Sequence, residues 1–156
     1  AQVINGASRL LLLDNIEDPH NVGAILRSAE VLGFHHILLP QKGVPGVYPS
    51  VVKASAGASE HLQIARDMNA TQYVKRLRAE EAWQIVALDA AGSVSVDEYH
   101  LGKDTKLLLV IGGENKSIHQ FILNDANSIV NIRQHGRINS LNASVAAGIA
   151  MHALLA

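Results

Sequence analysis

Cysteine is missing from the chain altogether. That one absence excludes a disulfide scaffold, a cysteine-based zinc site and a thiol nucleophile. It fits a reducing compartment, and the expected location is cytoplasmic. Aromatic residues are scarce, at 4%, so the core must be packed from Leu, Ile, Val and Ala. No apolar run reaches the roughly 18 residues of a membrane span. No basic segment followed by an apolar one marks a signal peptide. Neither sign of charge is in excess: the net charge is −1, whereas a free-standing nucleic-acid binder is more often clearly basic. There is no internal repeat and no low-complexity tract. The eight histidines form no ligand cluster, and the adjacent pair His35-His36 points opposite ways on a strand, so no metal is expected. No nucleophile elbow signals a Ser-His-Asp arrangement.

What is present is the composition of one globular domain. The 156 residues are 48% hydrophobic and 17% charged, enough to bury a sound core. Residues 1–8 are weakly patterned and read as a linker remnant, leaving 9–156 as the domain. Arg9–Asp14, a continuous apolar run, suits a strand buried on both faces. After a loop with Pro19 as breaker, Asn21 is the expected N-cap of a helix that places Val22, Ile25, Ala29 and Leu32 on one face and stops at Gly33. Further strands are expected at His36–Leu39, His61–Ile64, Gln84–Leu88, Lys106–Ile111 and Ser128–Ile132. Helices are expected at Ser50–Gly57, from an Asn69 cap to about Glu81, and through about Leu123. The final helix carries no charge from Ala143 onward, which predicts burial, and it is preceded by the polar turn Asn139-Ser140-Leu141-Asn142. Alternating helices and buried strands predict a three-layer α/β domain with a mostly parallel sheet.

Ligands of such sheets bind beyond the carboxyl ends of the strands. Three ends carry chemistry. The first leads to Asn21 and the helix bearing Arg27. Arg27 lies off the apolar stripe, where it is either a solvated surface residue or a guanidinium fork for a phosphate. The second is Gly112-Gly113-Glu114, either an ordinary strand-to-helix turn or a place where a ligand meets bare backbone; it matches neither a P-loop nor Gly-x-Gly-x-x-Gly. The third runs from Ile132 to Asn142. Lys75, Arg76 and Arg78 read as a solvated helix face or an RNA contact.

Taken in order, these three segments resemble the SpoU/TrmH family of RNA ribose 2′-O-methyltransferases, of the SPOUT class. The first motif is similar to Asn21-Val22-Gly23-Ala24-Ile25-Leu26-Arg27-Ser28-Ala29. The second is similar to Val110-Ile111-Gly112-Gly113-Glu114, and the third to Ile132 through Ser140-Leu141-Asn142-Ala143-Ser144-Val145-Ala146. Lys53 through His61 resembles the branch that methylates a guanosine of large-subunit ribosomal RNA. The likeness covers about Leu10 to Leu155.

The resemblance implies an α/β domain with a C-terminal trefoil knot, S-adenosylmethionine as cofactor, RNA as substrate and a homodimer with its site near the interface. It implies catalytic roles for Arg27, Asn21, Glu114, Ser140 and Asn142. It also implies cofactor contacts, largely through backbone, at Gly112, Gly113, Ile132 and Leu141. Many members of this branch carry a separate N-terminal RNA-binding domain, and the near-neutral charge fits a catalytic domain without it. Transfer RNA as substrate, or a non-catalytic RNA-binding or assembly factor, are the alternatives. The chain departs from the family pattern at Asn115-Lys116-Ser117, where Gly-x-Gly is usual, and at Arg133-Gln134, where Pro-Met often follows Ile.

Overall fold

The computed structural model describes residues 2–114, 116–138 and 140–155. Among these residues the strands are β1 (Arg9–Asp14), β2 (His36–Leu38), β3 (Gln63–Ala65), β4 (Trp83–Leu88), β5 (Val94–Ser95), β6 (Lys106–Gly112) and β7 (Ser128–Asn131). The helices are α1 (Pro19–Leu32), α2 (Pro49–Ala54), α3 (Ala70–Arg78), α4 (Gln120–Asp125) and α5 (Ala143–Leu155), with a 3₁₀ turn at Ala58–His61. The strands form one sheet in the order β3-β2-β1-β6-β4-β7-β5. Every pairing is parallel.

The period-two alternation of strand side chains divides the core. Leu11 and Leu13 of β1, with Leu109 and Ile111 of β6, face Val22, Ile25 and Ala29 of α1 and Ala147, Ala150 and Met151 of α5. Leu10 and Leu12, with Leu108 and Val110, face Tyr73, Val74 and Leu77 of α3 and Ile122 of α4. The result is the expected three layers. Because both faces are covered, β1 from Leu10 to Leu13 and β6 from Leu107 to Ile111 are continuously apolar rather than alternating.

Local chemistry accounts for the helix ends. Pro19 does not break α1; it occupies the first turn, and Asp18, not Asn21, is the cap, its carboxylate accepting the N–H of His20 at 2.9 Å. Pro lacks only an N–H that the first turn leaves unpaired anyway. Asn21 is thereby freed for another partner. At the other end Gly33 takes φ 87°, and Phe34 N–H bonds back to Ala29 O at 2.8 Å, a left-handed C-terminal closure that favours glycine. Asn69 caps α3 in a reciprocal capping box with Gln72.

Three expectations shift. The two-residue edge strand β5 lies inside 89–104, a stretch too polar to suggest a strand. Helix α4 begins only at Gln120, and the preceding Ser117 and His119 are bonded instead to Asn15 and Asp14 at the end of β1. Residues 2–6 form turns, yet Ile4 and Ala7 are buried in the core. No helix among the described residues is long and apolar enough to cross a membrane.

Candidate functional site

The carboxyl ends of β4, β6 and β7 open onto a cavity of about 240 Å³. Its walls include Leu88 and Asp89 beyond β4, Ile111, Gly112, Gly113 and Glu114 at β6, Ile132 beyond β7, and Ser140, Leu141 and Ala143 at the start of α5. Of the nine expected site residues, Gly112, Gly113, Glu114, Ile132, Ser140 and Leu141 therefore converge on one space. This is where ligands of open parallel sheets bind.

Two side chains hold the mouth of the cavity together. Glu114 is exposed, and its Oε1 accepts the N–H of Ala143, the first residue of α5, at 2.8 Å. A carboxylate there satisfies an otherwise orphaned donor and meets the positive end of the helix dipole. Asn142 is the cap of α5: its Oδ1 accepts the N–H of Ser144 at 2.9 Å and the hydroxyl of Ser144. Its other end, Nδ2, donates to Asn21 Oδ1 at 3.2 Å. Asn21, Asn142 and Glu114 thus link α1, α5 and the β6–α4 loop.

The β6–α4 loop in turn presses on the β1–α1 loop. A Cβ on Gly113 would lie 2.2 Å from the carbonyl oxygen of Asn15, so no side chain fits there. Asn15 itself has φ 56°, a left-handed conformation asparagine tolerates better than most residues, and its Nδ2 donates to Ser117 O at 2.9 Å. Asp14 is fully buried and accepts from both the backbone and the ring of His119. The sequence patterns missed Asn15, Asp14 and His119. The one available signal was a carboxylate closing an otherwise apolar strand.

Arg27 is exposed on α1 and does not line the cavity; among the described residues it makes no hydrogen bond or ion pair. Ser140 is exposed at the rim. Asn115 and Asn139 lie outside the described residues. Arg133, where the resemblance leads one to expect proline, pairs with Glu98 and so ties the loop after β7 to the segment following β5. The neighbouring loop residues Gln134, His135, Gly136 and Arg137 are exposed. No cluster of potential metal ligands is found among the described residues.

The sequence model of the SpoU rRNA Methylase family matches residues 8–152. The chain belongs to that family. A relative from Mycobacterium sp. (strain KMS), named an uncharacterized tRNA/rRNA methyltransferase, is 38% identical over 148 residues, covering 94% of this chain and 46% of the relative. YacO of Bacillus subtilis (strain 168), assigned by name to the TrmH family of tRNA/rRNA methyltransferases, is 37% identical over 142 residues, 91% of this chain and 56% of YacO. The chain thus spans about half the length of these curated relatives. Among solved structures, the AdoMet-bound rRNA methyltransferase of Sinorhizobium meliloti superposes with a TM-score of 0.85 at 29% identity, over 95% of this chain and 55% of that one. AviRb of Streptomyces viridochromogenes, in complex with AdoMet, gives 0.79 at 28% identity, over 92% and 55%.

Proposed function

We propose that this SpoU-family chain transfers a methyl group from S-adenosylmethionine to a ribose 2′-hydroxyl of RNA, at a guanosine of large-subunit ribosomal RNA. The observation that carries the reading is the single cavity on which the second and third motif segments converge, joined to the first by the Asn142–Asn21 bond.

The cavity suits the cofactor. Leu88, Ile111, Ile132 and Leu141 offer apolar surface for a purine and an aliphatic chain, the backbone at Gly112, Ile132 and Leu141 offers polar edges, and Asp89 and Glu114 bring negative charge toward a cation. When bound, S-adenosylmethionine supplies a methyl group already activated on a sulfonium, so the reaction needs no metal. The protein's task is alignment. Glu114 fixes the start of α5, Asn142 fixes α5 against Asn21, and Ser140 stands at the rim for the ribose. Arg27, free of protein partners among the described residues, grips the phosphate next to the target ribose. A guanidinium stays protonated, so the hydroxyl proton leaves to that phosphate or to water rather than to Arg27.

The same reading includes a trefoil-knotted C-terminal segment and a homodimer. The dimer is supported by Val145 and Ile149, which α5 leaves 50% and 39% exposed on one apolar face. The deciding experiment is methylation of total RNA with labelled cofactor, followed by mapping of the modified nucleotide. Label in a ribose of large-subunit ribosomal RNA supports the proposal. Label in transfer RNA moves the substrate, and no label with retained RNA affinity identifies a binding factor instead.

A further inference from the structure

The β6–α4 loop carries Glu114 at one end and His119 at the other, and the two ends are held in different ways. Glu114 grips the first N–H of α5. His119 grips β1: its backbone N–H donates to Asp14 Oδ2 at 2.8 Å, and its ring Nδ1 lies 2.8 and 2.9 Å from the two oxygens of the same carboxylate. Asp14 is 1% exposed and stands opposite Gly112 in the β1–β6 register. A carboxylate so deeply buried is stable only when its oxygens are satisfied, and each described bond that satisfies it comes from His119. The ring itself is half exposed. Charge-assisted or carboxylate-accepted bonds of this length are the strong ones.

We infer that Asp14 and His119 are positioning residues: together they hold the β6–α4 loop so that Glu114 reaches α5 and the cavity keeps its shape. The line of contacts runs from the end of β1 through His119, Ser117 and Gly113 to Glu114 and α5. Asn15–Ser117 and the Glu17–Lys116 ion pair at 3.9 Å lie along it. The Lys116 pair is exposed on both sides and so contributes little. The Asn15 bond fixes the middle of the loop. At the loop's far end the side chain of Ile118 is buried in the core, and His119 adds, among the described residues, the polar bonds to a buried group. Neither residue touches the cavity, so both act through Glu114, Ile118 and the glycines rather than on a ligand.

The test is made first on the ligand-free protein, by amide hydrogen exchange. In His119→Ala the Ala143 amide, which Glu114 accepts, is expected to exchange about tenfold faster, the effect of one lost bond to a charged group. The sheet amides of Ile37 and Leu38, on the other side of β1, are expected to keep their wild-type rates. His119→Gln retains a side-chain donor and is expected to return Ala143 to within about threefold of wild type. Should His119→Ala fail to fold, Asp14→Asn, which keeps the size and one acceptor oxygen, carries the same comparison. An unchanged Ala143 rate, or an equal rise at Ile37, Leu38 and Ala143, overturns the inference.

The second readout rests on the proposed cofactor. Titration with S-adenosylmethionine is expected to give a Kd about tenfold weaker in His119→Ala, recovered in His119→Gln. Wild-type binding together with an unchanged variant Kd overturns the positioning role. A wild type that binds no S-adenosylmethionine sinks the proposed function, while the exchange result still decides the loop anchor.

Discussion

Asn142 donates through Nδ2 to Asn21 Oδ1 at 3.2 Å while its Oδ1 caps α5. One side chain therefore does two separable things. Asn142→Ala removes both, and loss of the cap costs about 1 kcal/mol, lowering Tm by about 2–4 °C. Asn142→Asp keeps the capping oxygen and loses the donor to Asn21. It is expected to melt close to wild type yet lose at least about tenfold in methyl transfer, if alignment of α1 against α5 is what the bond provides. Thermal unfolding and a labelled-methyl assay on the two variants separate the roles. Equal activity in wild type and Asn142→Asp would deny the bond any part in the reaction.

Arg27→Ala is expected to abolish methyl transfer while leaving the Kd for S-adenosylmethionine unchanged, because Arg27 is exposed and outside the cavity. Lysine at this position is expected to recover only part of the rate, since it lacks the planar fork. Calorimetric titration paired with single-turnover transfer measures the split. Near-normal turnover in Arg27→Ala would remove the residue from the mechanism.

Gly113→Ala places a methyl group 2.2 Å from the Asn15 carbonyl oxygen, and main chain on both sides leaves no soft atom to yield. The loop has to shift away from β1, carrying Glu114 with it. The expected outcome is a Kd for S-adenosylmethionine weakened by at least about tenfold, by the strain of overpacking. A titration showing wild-type affinity would mean that the loop moves freely after all.

Tyr73 and Asp67 form a pH-sensitive pair. The Tyr73 hydroxyl donates to Asp67 Oδ1 at 2.7 Å and accepts the N–H groups of Asp67 and Met68. Burial first, and the bond to Asp67 second, push the Tyr73 phenol up to about 12. The bond from Tyr73 in turn holds Asp67 below its usual carboxylate range. A raised phenol stabilises the fold below pH 10 and loses that contribution as pH climbs from 10 through about 12; a depressed carboxylate loses its contribution as pH falls below the usual range. Tyr73→Phe is expected to flatten the alkaline arm of a stability–pH profile measured by denaturant unfolding. An alkaline arm identical to wild type would rule the pair out as its source.

Val145 and Ile149 lie four residues apart on the outward face of α5, 50% and 39% exposed. Val145→Asp and Ile149→Asp place a charge in whatever covers that face. Sedimentation is expected to show a dimer in wild type and a monomer in each variant, with Tm changed little in the monomer. A monomeric wild type would refute the proposed assembly.

The central strands were legible because burial on both faces leaves nothing but apolar residues: β1 falls on Arg9–Asp14 as the sequence predicts. The edge strand β5 was not, since two residues carry no period. Pro19 misled because the same residue breaks a helix inside and suits its first turn. The segments around Glu114 and Asn142 were legible as turns and through the family likeness. Their joint action was not, for Glu114 meets Ala143 through folding alone. His119 looked like one of eight scattered histidines, and no local pattern connects it to Asp14, 105 residues earlier. The uncharged α5 was read as buried; one face is, and the other carries Val145 and Ile149 into solvent.

The pairing of β1 with β6, from Arg9–Leu107 to Asp14–Gly112, bears on how the protein comes into being. The two strands at the centre of the sheet are separated by nearly a hundred residues, and Asn21 waits for Asn142, 121 residues later. Contacts so distant in sequence make for slow folding, because a long loop must close before any of them forms. On the ribosome the cavity lacks its α5 wall, Ala143 and Ala146, and Glu114 lacks its partner, until that last helix is made. Nascent chains stalled before Ala143 are expected to bind ligand more weakly than the finished chain.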